Sequence, residues 1–207
     1  AVAADPPAWP TGLAVARALV DALPPDAILF AGPSNPVRDI DFGVARVPPS
    51  ATIVASRGLA GIDGCVSTAL GIALAEPGRA AYALLGDLTF LHDSGALMIG
   101  PGEPRPDLTM VVVNDSGGGI FGLLEPGTPQ LAEPFERLFG TPTSTDLGAL
   151  VRAHGIAHQV VIEPHELTAA VCCAPYGLRV LEIRVPRTGH REAHARLRAT
   201  AAAAVRA

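Results

Sequence analysis

Six stretches of the chain are apolar runs that lack strict alternation: "AILFAG" (27–32), "TIVAS" (52–56), "AAYALLGD" (80–87), "DLTMVVVN" (107–114), "AHQVV" (157–161) and "LRVLEIRV" (178–185). Short continuous apolar runs bounded by turn residues predict strands buried on both faces. Between them the period changes. "TGLAVARALVDALP" (11–24) predicts a helix capped by Thr11 and ended before Pro24. Further helices are expected at "CVSTALGIALAE" (65–76), "LTFLHDSGALMIG" (88–100), "DLGALVRAHG" (146–155), "PHELTAAVCC" (164–173) and the alanine/arginine-rich end, whereas "PSNPVRD" (33–39) reads as turn-rich. Strands and helices alternate without an internal repeat. The expected class is α/β, a doubly wound, mostly parallel sheet with helices on both faces.

Sheets of this kind bind ligands beyond the carboxyl ends of their strands. Three such ends are chemically loaded here: "AGPSNPVRD" (31–39), "LLGDLT" (84–89) and "VVVNDSGGG" (111–119). Three consecutive glycines are poor packing material, but they allow positive φ and close approach to the backbone. Gly117, Gly119 and Gly122 formally satisfy G-x-G-x-x-G, so a dinucleotide (NAD/FAD) regulatory or dehydrogenase domain is one reading. Against it, Asp115 precedes the first glycine and would repel a pyrophosphate, and the strand is a late one. The other reading supplies a cation. Asp87 and Asp115 end two successive strands, and with a carbonyl of the glycine turn they form a hard oxygen set suited to Mg²⁺. Backbone N–H groups of the same turn then face the phosphate oxygens.

Composition narrows the field. The chain has 207 residues, enough for one α/β domain, and 49% are apolar, which excludes a disordered chain. A net charge of −5 without a lysine/arginine block argues against nucleic acid or an anionic membrane surface as partner. No apolar run approaches the roughly 20 residues of a membrane span. The opening "AVAADPPAWP" lacks the pattern of a signal peptide and reads as a linker (1–10) from a missing N-terminal part, with the domain over 11–207. Cys65, Cys172 and Cys173 form no disulfide framework and read as small buried thiols in a reducing, cytoplasmic setting. His190 and His194 are four apart with Glu192 between them, and read as a solvated helix face. His92 and Asp93 read as polar contacts at a helix start.

"GDLTFLHD" (86–93) with "NDSGGGIF" (114–121) resembles the "GD…NN" fingerprint of thiamine-diphosphate enzymes, on the domain that holds the cofactor's diphosphate. "SNPVRD" (34–39), "SRGLAGIDG" (56–64), "FERLFGTP" (135–142) and "REAHARL" (191–197) extend the likeness over most of the chain. Within these enzymes they resemble the menaquinone-pathway branch, the 2-succinyl-5-enolpyruvyl-6-hydroxy-3-cyclohexene-1-carboxylate synthase (MenD) family. The resemblance implies thiamine diphosphate and Mg²⁺ as cofactors, with Mn²⁺ as a substitute. It implies Asp87, Asp115 and the Gly117 carbonyl as metal ligands, and Leu88, Thr89, Asn114, Gly117 and Gly118 around the diphosphate. Ile62 would be the apolar wedge that keeps the cofactor bent. Ser34, Arg38, Arg57, Ile120 and Phe121 would line the substrate pocket.

The implied reaction decarboxylates 2-oxoglutarate and adds the resulting succinyl semialdehyde carbanion, carried on the cofactor, to isochorismate. Both substrates bear carboxylates, which suits the two arginines, since a guanidinium fork binds a carboxylate through two hydrogen bonds. Asp115 stands where the family has asparagine, and Thr143 where a histidine often follows "TP". The family's catalytic glutamate lies in a different domain, supplied by a second copy of the chain, and no glutamate here matches its motif. The resemblance therefore implies a homo-oligomer, and no catalysis by this part alone.

Overall fold

The computed structural model describes residues 7–206 and builds the apolar runs into one six-stranded sheet. The strands are β1 (Ile28–Ala31), β2 (Thr52–Ala55), β3 (Ala81–Gly86), β4 (Leu108–Asn114), β5 (Ala157–Val160) and β6 (Leu178–Arg184), in the order β2-β1-β3-β4-β6-β5. Every pairing is parallel. The helices are α1 (Gly12–Ala22), α2 (Asn35–Gly43), α3 (Cys65–Ala75), α4 (Asp87–His92), α5 (Ala132–Phe135), α6 (Leu147–Ala153), α7 (Pro164–Cys172) and α8 (His190–Arg206).

Successive residues of the central strands face opposite cores. Ile28, Phe30, Ala83, Met110 and Val112 pack with Val66 and Leu70 of α3, Phe90 of α4 and Val151 of α6. Leu29, Leu84, Val111 and Leu181 pack with Leu19 of α1 and Leu167 of α7 on the other face. The doubly wound expectation holds, because strands apolar on both faces are stable only when both faces are covered. β2 and β5 lie at the edges, and their less buried patterns follow from having one strand neighbour each. Strand order reverses between β1 and β3, whose outgoing connections run in opposite directions, so a crevice opens above the carboxyl ends of these strands.

Three local expectations change. "PSNPVRD" is not a turn: α2 begins within it, because Pro36 sits in the first helical turn, where its missing N–H costs nothing. The segment 88–100 is not one helix but α4 followed by a 3-10 turn, Ser94–Leu97. Cys65 is buried as expected, whereas Cys172 and Cys173 are exposed at the end of α7. Residues 1–6 of the expected linker lie outside the described residues, and Trp9 packs against the second core and donates from Nε1 to the Ile162 carbonyl at 2.6 Å. Thr11 caps α1 as expected, accepting from the Ala14 N–H. Asp93 caps as well, although for α3: its carboxylate accepts from Ser67 N–H at 2.7 Å. Among the described residues no helix is long and apolar enough to cross a membrane.

Candidate cofactor site

β3 and β4 pair with Gly86 opposite Val113, so Asp87 and the Asn114–Asp115 step emerge side by side at the sheet's carboxyl edge. The turn after β4 is tightly specified. Asn114 Oδ1 accepts from the Ser116 N–H at 3.0 Å, and Ser116 and Gly117 both take positive φ, 59° and 141°. A Cβ at Gly117 would fall on the Gly140 carbonyl oxygen, and one at Gly118 on that of Phe139. At Gly119 it would fall on the Asp115 carboxylate. The three glycines thus admit a neighbouring backbone on one side and a carboxylate on the other. The neighbour is a π-helical turn, Glu136–Gly140, whose last carbonyl accepts from Gly118 N–H at 2.7 Å and from Arg187 Nη1 at 3.2 Å. Arg187 also pairs with Glu136.

The two aspartates are electrostatically unsettled. Burial pushes the Asp87 carboxyl up to about 6, against the N–H groups of Leu88 and Gly117 that favour its charged form. Burial, and next the charge of Asp87, push Asp115 up to about 7. Among the described residues, four buried side-chain polar atoms have no hydrogen-bond partner: Asn35 Oδ1, Asp87 Oδ2, Asp115 Oδ1 and His190 Nε2. All four residues line one cavity of about 140 Å³ at the ends of β1, β3 and β4. Buried polar atoms are normally paired, so four orphans around a single cavity mark a place prepared for a polar ligand. Two carboxylate oxygens without donors in one cavity suit a divalent cation. No group of three or more His, Cys, Asp or Glu among the described residues could hold a metal. Two carboxylates completed by backbone oxygen is the hard, partly open set that Mg²⁺ accepts.

Residues 41–178 match the family described as thiamine pyrophosphate enzyme, C-terminal TPP binding domain. The chain belongs to this family. It is 54% identical over 191 residues to the 2-succinyl-5-enolpyruvyl-6-hydroxy-3-cyclohexene-1-carboxylate synthase of Saccharopolyspora erythraea, and 56% identical over 191 residues to that of Nocardia farcinica. Each alignment covers 92% of this chain and 34% of the relative, so the chain spans about a third of the length of the curated relatives it matches. Among solved structures it resembles the benzoylformate decarboxylase from Polynucleobacter necessarius, with TM-score 0.65 and 22% identity over 87% of this chain and 34% of that one. That likeness bears on the fold alone.

This thiamine pyrophosphate-binding domain gathers most of the residues named from sequence. Asp87, Leu88, Thr89, Asp115, Gly117 and Gly118 line the cavity. Ser34, Ile62, Ile120 and Phe121 line it as well. Three residues stand apart. Asn114 turns its amide to Glu182, donating from Nδ2 to Oε1 at 2.8 Å. Arg38 is exposed and donates to the Ser34 carbonyl at 2.6 Å, and Arg57 is exposed on the loop after β2. The dinucleotide reading finds no support: the glycines lead into a 3-10 turn, Gly119–Leu123, where that fingerprint requires a long helix. Thr143 Oγ1 lies 2.8 Å from Thr145 Oγ1, beside a second cavity of about 600 Å³ bordered by Asp87, Asn114 and Glu182.

The reading of His190 and His194 as a solvated face is wrong. Both are buried, because α8 packs its first turns on α2: His194 Nε2 lies 3.3 Å from Asp39 Oδ1 and its ring stands edge-on to Phe42. The spacing carried a signal for this, since 190, 194 and the buried Leu197 share one helical stripe. Asn35, Asp39 and Arg187 at the site were also missed. Asp39 and Arg187 are held there by contacts distant in sequence, to His194 and to the Gly140 carbonyl.

Proposed function

We propose that this chain is the cofactor-diphosphate part of a 2-succinyl-5-enolpyruvyl-6-hydroxy-3-cyclohexene-1-carboxylate synthase, which decarboxylates 2-oxoglutarate and joins the remaining four-carbon unit to isochorismate. The observation that carries the reading is the pair of orphaned oxygens, Asp87 Oδ2 after β3 and Asp115 Oδ1 at the start of the glycine turn, in one cavity. Identity above half to synthases of that name supports the substrate assignment. Asp87, Asp115 and the Gly117 carbonyl hold Mg²⁺, or Mn²⁺ in its place. Burial and, next, the charge of Asp87 raise the Asp115 carboxyl, and a divalent cation held by the two acids would favour the ionised form of both.

Leu88, Thr89 and Gly118 border the diphosphate, and Asn114 acts on it indirectly by setting the turn through Ser116. Ile62 is the apolar support for the bent cofactor. Bound thiamine diphosphate supplies the electron sink for decarboxylation. Ser34, Ile120 and Phe121 form the chain's own side of the substrate pocket. Arg38 and Arg57 present exposed guanidinium groups that take the substrate carboxylates once neighbouring domains enclose them. The glutamate that faces the cofactor's pyrimidine comes from an N-terminal domain of a second copy, which makes the working unit a homo-oligomer. The exposed free thiols of Cys172 and Cys173 favour the cytoplasm.

The test is CO₂ release from 2-oxoglutarate by the full-length protein with Mg²⁺ and thiamine diphosphate, followed by product formation with isochorismate. Turnover is expected from the full-length protein and none from residues 1–207 alone. Release of CO₂ from benzoylformate but not from 2-oxoglutarate would reject the substrate assignment. Turnover by residues 1–207 alone would reject the division of labour between domains.

A further inference from the structure

The segment after β6 lies beyond the matched residues 41–178, yet it walls the cofactor cavity. His190 is the first residue of α8; it is 9% exposed and borders the cavity that Asp87 and Asp115 also border. Its Nε2 has no partner in the protein. The nearest carboxylate on its own side, Asp39, is already engaged by His194. An unpaired buried polar nitrogen costs stability that its neighbours have to offset. The helix that carries the ring is anchored on both sides of it. Arg191 donates to the Gly122 carbonyl at 3.0 Å and to that of Leu124 at 2.6 Å, and Leu197 is buried on the same stripe. With its helix fixed and only 9% of its surface exposed, the ring stays at the cavity wall rather than in solvent.

The polarity of the contact follows from the surroundings. Burial disfavours the charged imidazole, so Nε2 carries either a proton or a lone pair. Three carboxylates, Asp39, Asp87 and Asp115, border the same cavity. The charge of Asp39, the carboxylate among them that acts on this ring, disfavours a lone pair at Nε2 and stabilises an N–H dipole there. Nε2 is therefore a donor, and what it lacks is an acceptor.

We propose that His190 is a ligand-contacting residue whose Nε2–H donates to an anionic oxygen of the molecule bound in this cavity. The proposal rests on the cofactor reading above for the nature of that molecule. Such an oxygen has two sources, the diphosphate of the cofactor or the carboxylate of the 2-oxo acid, and the two arms of the experiment separate them.

The full-length protein, His190→Ala, His190→Gln and Asp87→Ala are titrated calorimetrically with thiamine diphosphate in the presence of Mg²⁺, and KM for 2-oxoglutarate is measured on the variants that bind. A hydrogen bond to a charged acceptor corresponds to about a 10-fold effect or more. If the diphosphate is the source, His190→Ala weakens cofactor affinity by about that factor. If the carboxylate is the source, cofactor affinity is kept and KM rises by a similar factor. His190→Gln, whose amide N–H can stand in for Nε2–H, recovers most of the loss in either arm; a packing role would leave it as impaired as alanine. No change in both arms, or no rescue by glutamine, overturns the proposal while Asp87→Ala still abolishes binding and the cofactor reading stands. Unchanged binding by Asp87→Ala rejects the cofactor reading, and this proposal with it. Should His190→Ala fail to fold, the imidazole ¹⁵N resonance of the unmodified protein decides. It must shift on addition of the Mg²⁺ complex or of 2-oxoglutarate, and a static resonance overturns the contact.

Discussion

Carboxylates withdrawn from water stand toward the carboxyl ends of three neighbouring strands, Asp87 and Glu182 buried and Asp115 half-buried, and the withdrawal has opposite consequences for them. Glu182 of β6 is 1% exposed, and both of its oxygens are engaged: Oε1 accepts from Asn114 Nδ2 at 2.8 Å and from Arg184 Nε at 2.9 Å, and Oε2 from His158 Nε2 at 2.9 Å. Burial works against its charge, but these three donors outweigh it and hold the carboxyl below its ordinary value. Asp87 of α4 and Asp115 after β4 are also withdrawn from water, yet each keeps an orphaned oxygen and a raised value. A buried acid with every lone pair satisfied serves the fold. One left unsatisfied beside a cavity serves a ligand. Asn114 couples the two, since one end of its amide binds Glu182 and the other fixes the glycine turn.

The largest effect should come from removing an unsatisfied acid. In the full-length protein, Asp87→Ala should weaken thiamine diphosphate binding at millimolar Mg²⁺ by more than about 100-fold, beyond what outer-shell changes do to a metal site. Its melting temperature without ligand should hold or rise, because a poorly solvated carboxyl is gone. Calorimetric titration and a thermal melt check both halves, and a fall in melting temperature with binding intact would reverse the contrast.

Glu182→Ala should behave in the converse way. It strands the Asn114 and His158 donors, so a loss of about 2–3 kcal/mol is expected, or roughly 5–10 °C in Tm for a domain of this size. Cofactor affinity should fall far less than with Asp87→Ala. If affinity collapsed and Tm did not move, Glu182 would belong to the ligand site instead.

The smallest effect is a difference in pH dependence. Asp115 has a folded value raised to about 7, so the folded state holds its proton more tightly than the unfolded one. That stabilisation is fully present below the unfolded value and is lost as pH rises through the folded one. Glu182, held low, has the opposite sign: its contribution is present above its unfolded value and is lost as pH falls. Metal-free Asp115→Asn should therefore show a shallower decline in Tm between about pH 4 and 7, keeping the part that Asp87, raised to about 6, contributes, and should gain about 2–4 °C at pH 7.5, equivalent to about 1 kcal/mol. Melts across pH in chelator would show it; a slope like the parent's would mean that Asp115 is better solvated than its burial implies.

Much of this was legible in one dimension. The strands were readable because burial on both faces requires continuous apolar runs, and Asp87, Asp115 and the glycines because strand ends are where such sheets gather chemistry. α2 escaped because Asn35-Pro36 reads as a turn until the residues after it continue a helix. His190 escaped because a stripe of two histidines looks polar, and only the pairing of His194 with Asp39 turns it inward.

The sequence by itself determined the six strands, most of the helices between them and the two acids at strand ends, since each follows from a pattern only a few residues long. Tertiary structure alone decided which acids are satisfied. Glu182 is paired and the aspartates are not because Asn114, 68 residues away, and His158, 24 residues away, spend their hydrogen bonds on Glu182. Likewise Arg187 reaches back 47 residues to the Gly140 carbonyl, and α8 carries His190 to the cavity wall. Hydrogen-bond satisfaction is a property of three-dimensional neighbours, and separations of this length leave no periodic trace along the chain.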